Sequence, residues 1–195
     1  MIDVSKTHQA FTGLLRSFLP LDDQAIAFTL QQTQILQCPR NTLLLGVGQV
    51  CHHLYFLHHG LARGFYHSNK QEFTSWFAKE NDIVFSPHSF LRQQPTDEGI
   101  ELLEDTLLLS LSYKAVQQIY ERFPMMNTLG RLITDHYLLQ YDERFRFMQA
   151  LGGKERLREF MARYPTLYDR ASNKHIASYL GMTPETMSRL LAKKN

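Results

Sequence analysis

The sequence is poor in cysteine and has no long apolar run. Cys38 and Cys51 are the only cysteines among 195 residues. They could pair with each other, but they are too few for a disulfide scaffold or for a four-cysteine zinc or iron–sulfur site within one chain. No apolar stretch approaches the length of a membrane span, and the N-terminus has no basic segment followed by an apolar one. We therefore expect a cytoplasmic protein that has no membrane partner.

The small net charge hides an asymmetry along the chain. The formal net charge is +2, and the apolar fraction of 44% is ordinary for a globular protein of one domain or two small ones. Residues 1–145 carry 11 Lys and Arg against 15 Asp and Glu, whereas residues 146–195 carry 10 against 4. A basic end on an acidic body indicates a polyanionic partner, although a solvated basic surface would have the same composition.

The middle of the chain has the sequence pattern of an all-β domain. Residues 9–34 are predicted to be helical, with a break at Pro20 and an N-cap at Asp22 or Asp23. From residue 35 to about residue 112, short segments rich in Leu, Val, Phe and Tyr alternate with turn residues, which predicts a sandwich or barrel. A short helix is expected over residues 112–122. The predicted fold class is therefore α+β.

Residues 125–150 lack proline and are predicted to form one long helix. Its apolar residues fall in two stripes, and a helix with two apolar faces needs two partners. We expect one face to cover the β body and the other to meet a second copy of the chain, the alternative being that both are covered within the chain. The residues predicted for the dimer interface are Leu129, Leu132, His136 and Leu139. Gly152 and Gly153 follow the helix and mark a domain boundary.

Residues 173–191 have the pattern of two short helices that cross at a glycine. Ala177 is small enough for a close crossing, and Gly181 can adopt the positive φ of a tight turn. Thr183 can cap the second helix, and Pro184 suits its first turn. This is the helix-turn-helix pattern, in which the second helix enters the DNA major groove. An αα-hairpin that only packs on a core is the alternative.

The outward positions of this motif carry side chains that can bond to nucleic acid. Arg can donate two hydrogen bonds to guanine, and Glu can accept one from cytosine. The residues predicted to contact DNA are Lys174, Thr183, Glu185, Thr186, Ser188, Arg189 and Lys193.

The whole chain resembles the Crp/Fnr family of bacterial transcription regulators. Residues 176–189 are close to the DNA-reading signature of that family, and residues 55–63 and 101–110 resemble its cyclic-nucleotide-binding β-roll, a jelly-roll or cupin-like double-stranded β-helix. The resemblance implies a sensor domain over residues 1–123, a dimerisation helix over 124–152 and a helix-turn-helix domain over 153–195. It also implies a homodimer on an inverted-repeat operator in double-stranded DNA, with RNA polymerase as a further partner.

The sequence departs from this family where its cyclic-nucleotide binders hold the phosphate. Those proteins use a glycine-flanked Glu and a downstream Arg followed by Ser or Thr. Here the glycine and Glu are replaced near Phe85 and Ser86, Thr96 and Asp97 stand in place of the Arg pair, and Arg92 is the nearest cation. We therefore predict an effector pocket at Phe85, Ser86, Arg92 and Thr96 that does not bind cyclic AMP in the usual way. The effector's identity stays open.

Two further departures concern the DNA-binding end. Pro184 occupies a position where many relatives carry a base-contacting Arg, which shifts base reading to Glu185 and Arg189. The chain ends at Asn195, so the β-hairpin wing of many relatives is expected to be short or absent.

The competing interpretation is a cupin-type metal-dependent enzyme, or a ligand-binding β-barrel, whose C-terminal helices only pack. Nine histidines invite it, but neighbours on a strand face opposite ways, and the His-x-His plus Glu arrangement of such enzymes is not present. We predict a regulator that is not an enzyme, with no catalytic residues, no metal site and no cofactor.

Overall fold

The computed structural model describes residues 3–192 and begins with two helices. α1 spans Val4–Phe18 and α2 spans Asp23–Gln31. Asp3 caps α1 by accepting a hydrogen bond from Lys6 N, and Asp22 caps α2 by accepting one from Ala25 N. α1 therefore starts five residues before the predicted residue 9, because the Asp3 cap allows the helix to begin earlier.

Two antiparallel sheets follow and form the β-roll. In chain order the strands are β1 (Gln34–Cys38), β2 (Leu43–Leu45), β3 (His53–His59), β4 (Ala62–Ser68), β5 (Gln71–Ala78), β6 (Ile83–Val84), β7 (Glu98–Leu102) and β8 (Thr106–Ser112). One sheet has the order β1-β8-β3-β6 and the other β2-β7-β4-β5. The fully buried residues of the two sheets include Phe56, Leu57, Ile100 and Leu108. The predicted α+β class with a β-roll is confirmed.

A short helix, α3 (Pro87–Arg92), lies between β6 and β7 and was not predicted. Six residues are too few to display a helical period in the sequence. Proline at the start of α3 has no N–H to leave unpaired there, which suits it to the first turn.

Two more helices follow the β-roll. α4 spans Tyr113–Arg122 and is capped by Ser112, whose hydroxyl accepts from Ala115 N. α5 spans Met125–Ala150, which agrees with the predicted long helix. Its first turns enter the main core, where Met126 and Leu129 are 3% exposed.

Four short helices form the C-terminal part: α6 (Gly153–Arg163), α7 (Pro165–Arg170), α8 (Asn173–Tyr179) and α9 (Pro184–Ala192). Their buried residues form a second hydrophobic core, separate from that of the β-roll. The members of this second core on the helices are Leu157, Phe160, Leu167, Ala171, Ile176, Ala177, Leu180 and Met187. α7 was not predicted, again because a six-residue helix shows little periodicity.

Candidate functional site

Helices α8 and α9 cross at Gly181, as the sequence motif predicts. Ser172 caps α8 by accepting a hydrogen bond from His175 N at 3.2 Å. Gly181 has φ of +65°, in the left-handed region that a side chain would strain. Thr183 then caps α9, since its Oγ1 accepts from Thr186 N at 3.2 Å. Local hydrogen bonds thus fix where α8 and α9 each begin.

The inner face of the two helices is closed by apolar contacts. Ile176, Ala177, Leu180 and Met187 have 0% exposure. Ala177 lies at the crossing, and its carbonyl accepts a hydrogen bond from Met182 N at 3.0 Å. The absence of a larger side chain at Ala177 therefore brings the second helix close to the first.

The outer face of α9 is polar and open. Glu185, Ser188 and Arg189 are exposed, and Lys174 is exposed at the start of α8. Thr186 is half-buried, and its hydroxyl contacts both Thr183 Oγ1 and Arg189 Nη2 at 3.2 Å.

The charges on this face are those of Glu185 and Arg189, one helical turn apart. A hydrogen bond from its own backbone N–H and one from the Thr183 hydroxyl lower the pKa of Glu185, so that its side chain is a hydrogen-bond acceptor at neutral pH. The predicted contact Lys193 lies outside the described residues. The other predicted DNA contacts lie on α8, on α9 or, for Thr183, at the N-cap of α9.

The helix-turn-helix is docked on the β-roll rather than free of it. α8 lies along β5, where Ser178 Oγ accepts a hydrogen bond from Thr74 N at 2.9 Å. Leu61 and Leu103 of the β-roll are buried in the second core, among the residues of α6 to α9. The C-terminal helices therefore complete their core with side chains of the β-roll.

Arg170 joins the same two parts through charge. Its guanidinium nitrogens donate to both carboxylate oxygens of Glu80, at 2.9 and 2.8 Å, and to both of Glu104, at 2.9 and 2.6 Å. Burial raises the pKa of Glu80, but the hydrogen bonds from Arg170, those from backbone N–H groups and the charge of Arg170 together outweigh it and lower that pKa to about 2. The pKa of Glu104 is lowered mainly by the same guanidinium. Sequence reasoning missed this contact, because the partners are 90 and 66 residues apart.

The predicted effector residues fall into two groups. Ser86 and Thr96 are buried, and their hydroxyl oxygens lie 3.2 Å apart. Phe85 packs edge-on against Phe90 at 5.4 Å between ring centroids. Arg92, by contrast, is exposed at the end of α3. The structure therefore brings Ser86 and Thr96 together and leaves the predicted cation on the surface.

An acidic side chain occupies the same part of the β-roll. Glu98 Oε1 accepts hydrogen bonds from Trp76 Nε1 at 2.8 Å and from Ser75 Oγ at 3.1 Å. Burial raises the pKa of Glu98. The Trp76 ring lies directly over Gly64, where a Cβ would come within 2.2 Å of it. Glu98 N donates to Thr96 Oγ1 at 3.0 Å, so Glu98 adjoins the predicted effector residues, and sequence reasoning did not identify it.

A separate cavity of about 350 Å³ lies outside the β-roll. Its walls come from β5, β6, the middle of α5 and the C-terminal helices. Of the predicted effector residues only Phe85 reaches it.

The predicted dimer interface needs correction at one residue. Leu129 is 3% exposed within its own chain, so it has almost no surface to present to a partner. His136 contacts Phe18 of α1 edge-on at 5.4 Å, and Leu132 is half-buried. Leu139 is 63% exposed, as are other apolar residues in the same half of the helix: Leu138 at 63%, Phe145 at 60% and Tyr141 at 44%. The exposed apolar face of α5 is therefore its C-terminal half.

Within residues 3–192 no helix combines the length and the apolar character that a membrane span requires. In the same range no three or more His, Cys, Asp and Glu side chains are grouped as metal ligands.

The β-roll matches a known family model, and the whole fold is similar to solved structures. Residues 35–123 match the family model of the cyclic nucleotide-binding domain. The structure of FixK2 from Bradyrhizobium japonicum is 16% identical, with a TM-score of 0.69 and 83% of each chain covered. A protein from Eubacterium rectale that is assigned to the Crp/Fnr family of transcriptional regulators is also 16% identical, with a TM-score of 0.69 over 89% of this chain and 83% of that one.

The chain has the Crp/Fnr fold. The global regulator CLP of Xanthomonas campestris, described as responsive to c-di-GMP, shares this fold with 18% identity, a TM-score of 0.68 and coverage of 88% of this chain and 91% of that one. No curated protein matches the sequence. Within the Crp/Fnr fold, the β-roll over residues 35–123 is the part that the family model recognises, and α8 and α9 have the geometry that the sequence motif predicted.

Proposed function

We propose that the protein is a dimeric, sequence-specific DNA-binding transcriptional regulator. The observation that carries this proposal is the geometry of α8 and α9: a closed apolar inner face, a glycine turn and an open face with Glu185, Ser188 and Arg189. The basic balance of residues 146–195 supports a polyanionic partner. The fold shared with CLP and with the Eubacterium rectale protein, both regulators by their descriptions, points the same way.

Base reading is assigned to Glu185 and Arg189, which share one face of α9. Thr183 and Thr186 hold the start of α9 and orient Arg189, and Lys174 and Lys193 are assigned to phosphates. In a dimer two such helices must meet successive major grooves about 34 Å apart, so the operator is an inverted repeat with half-sites one helical turn or a multiple apart.

The test is a selection on random duplexes with the full chain, followed by anisotropy titrations of variants. Arg189→Ala should weaken binding to the selected site by roughly 1–3 kcal/mol and relax the preference at one base pair. Arg158→Ala is the matched control, because Arg158 is exposed on α6, with 71% of its side chain accessible, and lies outside the helix-turn-helix. Selection that yields no inverted repeat, or equal effects of the two variants, would contradict base reading by α9.

Dimer formation is assigned to the exposed half of α5. Leu138, Tyr141 and Phe145 are spaced by three and four residues, which places them on one helical face. A contiguous exposed apolar stripe on a soluble helix is typical of an interaction surface. The occupant that the proposal requires is the same stripe of a second copy, because a two-fold axis along α5 is what would present two α9 helices to one side of the DNA.

The sensor pocket is proposed not to bind cyclic AMP tightly. A phosphate at Ser86 and Thr96 would meet hydroxyl groups but no guanidinium, since Arg92 is on the surface. Calorimetric titration of the full chain with cyclic AMP should show no binding at micromolar concentrations. Ser86→Gly with Asp97→Arg, which restores elements of the phosphate site, serves as the comparison, and tight binding by the unaltered chain would refute this part of the proposal.

A further inference from the structure

The cavity between the sensor domain and the C-terminal helices has the size and lining of a small-molecule site. Its volume of about 350 Å³ lies within the range of roughly 300–1,000 Å³ that is typical of ligand pockets. Ser86 and Thr96 do not line it, whereas Trp76 and Phe85, the chain neighbour of Ser86, do.

The walls of this cavity are mostly aromatic. Trp76, Phe77 and Phe85 come from the β-roll and the segment after β6, Phe147 comes from α5, and Phe160 and Tyr164 come from α6 and its end. Flat aromatic walls favour a planar apolar ligand, since ring faces and edges can stack on it. The walls also come from both parts of the chain, so an occupant would contact both.

One cation at the cavity lacks part of its hydrogen bonding. Arg144 Nη2 donates to the Tyr179 carbonyl at 2.7 Å, and its guanidinium carbon lies 3.6 Å from the centre of the Tyr179 ring. Arg144 Nη1 is buried and has no hydrogen-bond partner among residues 3–192. A buried, charged N–H without an acceptor is costly, so this atom favours an anionic oxygen beside it.

The other polar groups of the cavity limit the charge of the ligand. Lys79 and Arg163 are further cations, and Asp82 and Glu143 are carboxylates, which leaves one net positive charge with Arg144 included. The Asp82 carboxylate already accepts a hydrogen bond from Lys79 N at 2.9 Å. Tyr137 Oη accepts from Ile83 N at 2.7 Å, and its own hydroxyl proton is left to donate. These groups suit a single carboxylate better than a phosphate with two charges.

We propose that this cavity binds a small planar aromatic monocarboxylate, with the ring between the aromatic walls and the carboxylate on Arg144. The role of such a ligand as an effector rests on the proposed DNA-binding function, whereas the binding itself does not. Trp76 is the only tryptophan of the chain, and it lines the cavity. Its fluorescence therefore reports on the site directly.

The experiment titrates the full-length chain with trans-cinnamate and with cinnamamide, its uncharged analogue of nearly the same shape. Cinnamate should change the Trp76 emission saturably and bind about tenfold or more tightly than the amide, as expected for a hydrogen bond to a charged group. Arg144→Gln should remove that difference by weakening cinnamate binding alone. Arg146→Gln is the control on the same helix, because Arg146 is exposed and does not line the cavity.

Three outcomes would overturn the proposal: no saturable change with cinnamate, equal affinity for acid and amide, or an Arg144→Gln variant that still distinguishes them. The first is expected if the α5 helix of a second copy fills the cavity instead. Circular dichroism checks that Arg144→Gln folds. If that variant is unfolded, Phe147→Ala tests the site instead, because it should weaken the binding of both cinnamate and cinnamamide. DNA retention is measured separately, so a failed site and a failed DNA-binding function give different results.

Discussion

The two hydrophobic cores of this protein differ in whether they are built from their own part of the chain alone. The β-roll core is built from two sheets and the helices that cover them, and its buried residues run from Phe11 to Leu129 in chain order. The C-terminal core is small, and two of its buried members, Leu61 and Leu103, belong to the β-roll. A small domain buries a low fraction of its surface, so borrowed side chains contribute to its stability. The comparison teaches that the C-terminal helices are held as an extension of the β-roll.

The sharpest way to test this difference is a matched pair of leucines four residues apart. Leu57 and Leu61 are both fully buried, but Leu57 lies in the β-roll core and Leu61 in the C-terminal core. Replacement of each by Ala should cost roughly 2–5 kcal/mol, through lost burial and the cavity that remains.

The location of the damage separates the two variants. Hydrogen exchange followed by mass spectrometry should show faster exchange in β3 and β8 for Leu57→Ala. For Leu61→Ala it should show faster exchange in α6 to α9 with the strands still protected. Equal loosening of both parts in both variants would show that the two cores unfold as one.

The stretch of α5 between the two cores provides the second prediction. Its N-terminal turns are buried in the first core, and Phe147 packs against the second, while Phe145 between them is 60% exposed. Phe145→Glu should place a charge in the proposed dimer seam at a cost of about 3 kcal/mol, which is more than a hundredfold in the dissociation constant. Sedimentation should then show a monomer with unchanged far-ultraviolet circular dichroism.

The control for this prediction is Gln149→Glu, which adds the same charge at an exposed position of α5 near its end. It should sediment like the unaltered chain. A wild-type monomer at micromolar concentration would remove the dimer from the proposed function.

The smallest expected effect concerns the ionic contact between the two parts. Arg170→Gln removes the guanidinium that Glu80 and Glu104 share and should weaken the docking of the C-terminal helices by roughly 1–3 kcal/mol. Arg158→Gln is the control, since Arg158 is exposed and pairs with its neighbour Glu159 at 3.6 Å. Limited proteolysis between α5 and α6 should be faster for Arg170→Gln alone.

The same contact predicts a dependence on acid. In the folded protein the pKa of Glu80 is about 2, below its ordinary value of 4.5. Because that pKa is lowered on folding, the contact stabilises the docked arrangement fully above about pH 4.5 and loses its contribution as the pH falls towards 2. The difference in proteolysis between wild type and Arg170→Gln should therefore shrink over this interval, and a constant difference would show that the ion pair is not its cause.

The parts of the structure that sequence could predict are those with local causes. The helix at residues 125–150, the turn at Gly181 and the caps at Asp22 and Thr183 each follow from neighbouring residues, and the structure has them. The β-roll was also predictable from closely spaced turns and the resemblance.

The parts that escaped prediction depend on distant residues. Arg170 meets Glu80 across 90 positions, and Trp76 reaches Glu98 across 22. No periodicity connects such pairs, and a charged residue in a sequence does not reveal its partner. The error at Leu129 has the same origin, since an apolar stripe does not say which of its turns face the chain's own core.

The hydrogen bonds of Ser178 have a consequence for the sheet that they touch. β5 is an outer strand of its sheet, and Ser178 Oγ accepts from Thr74 N at 2.9 Å and donates to the Glu72 carbonyl at 3.5 Å. An uncovered outer strand is a template on which another chain can add a strand of its own. Helix α8 therefore covers the exposed edge of this sheet and blocks the addition of a further strand. A fragment cut after α5 lacks α8, so its uncovered β5 should cause aggregation even though the β-roll core is intact.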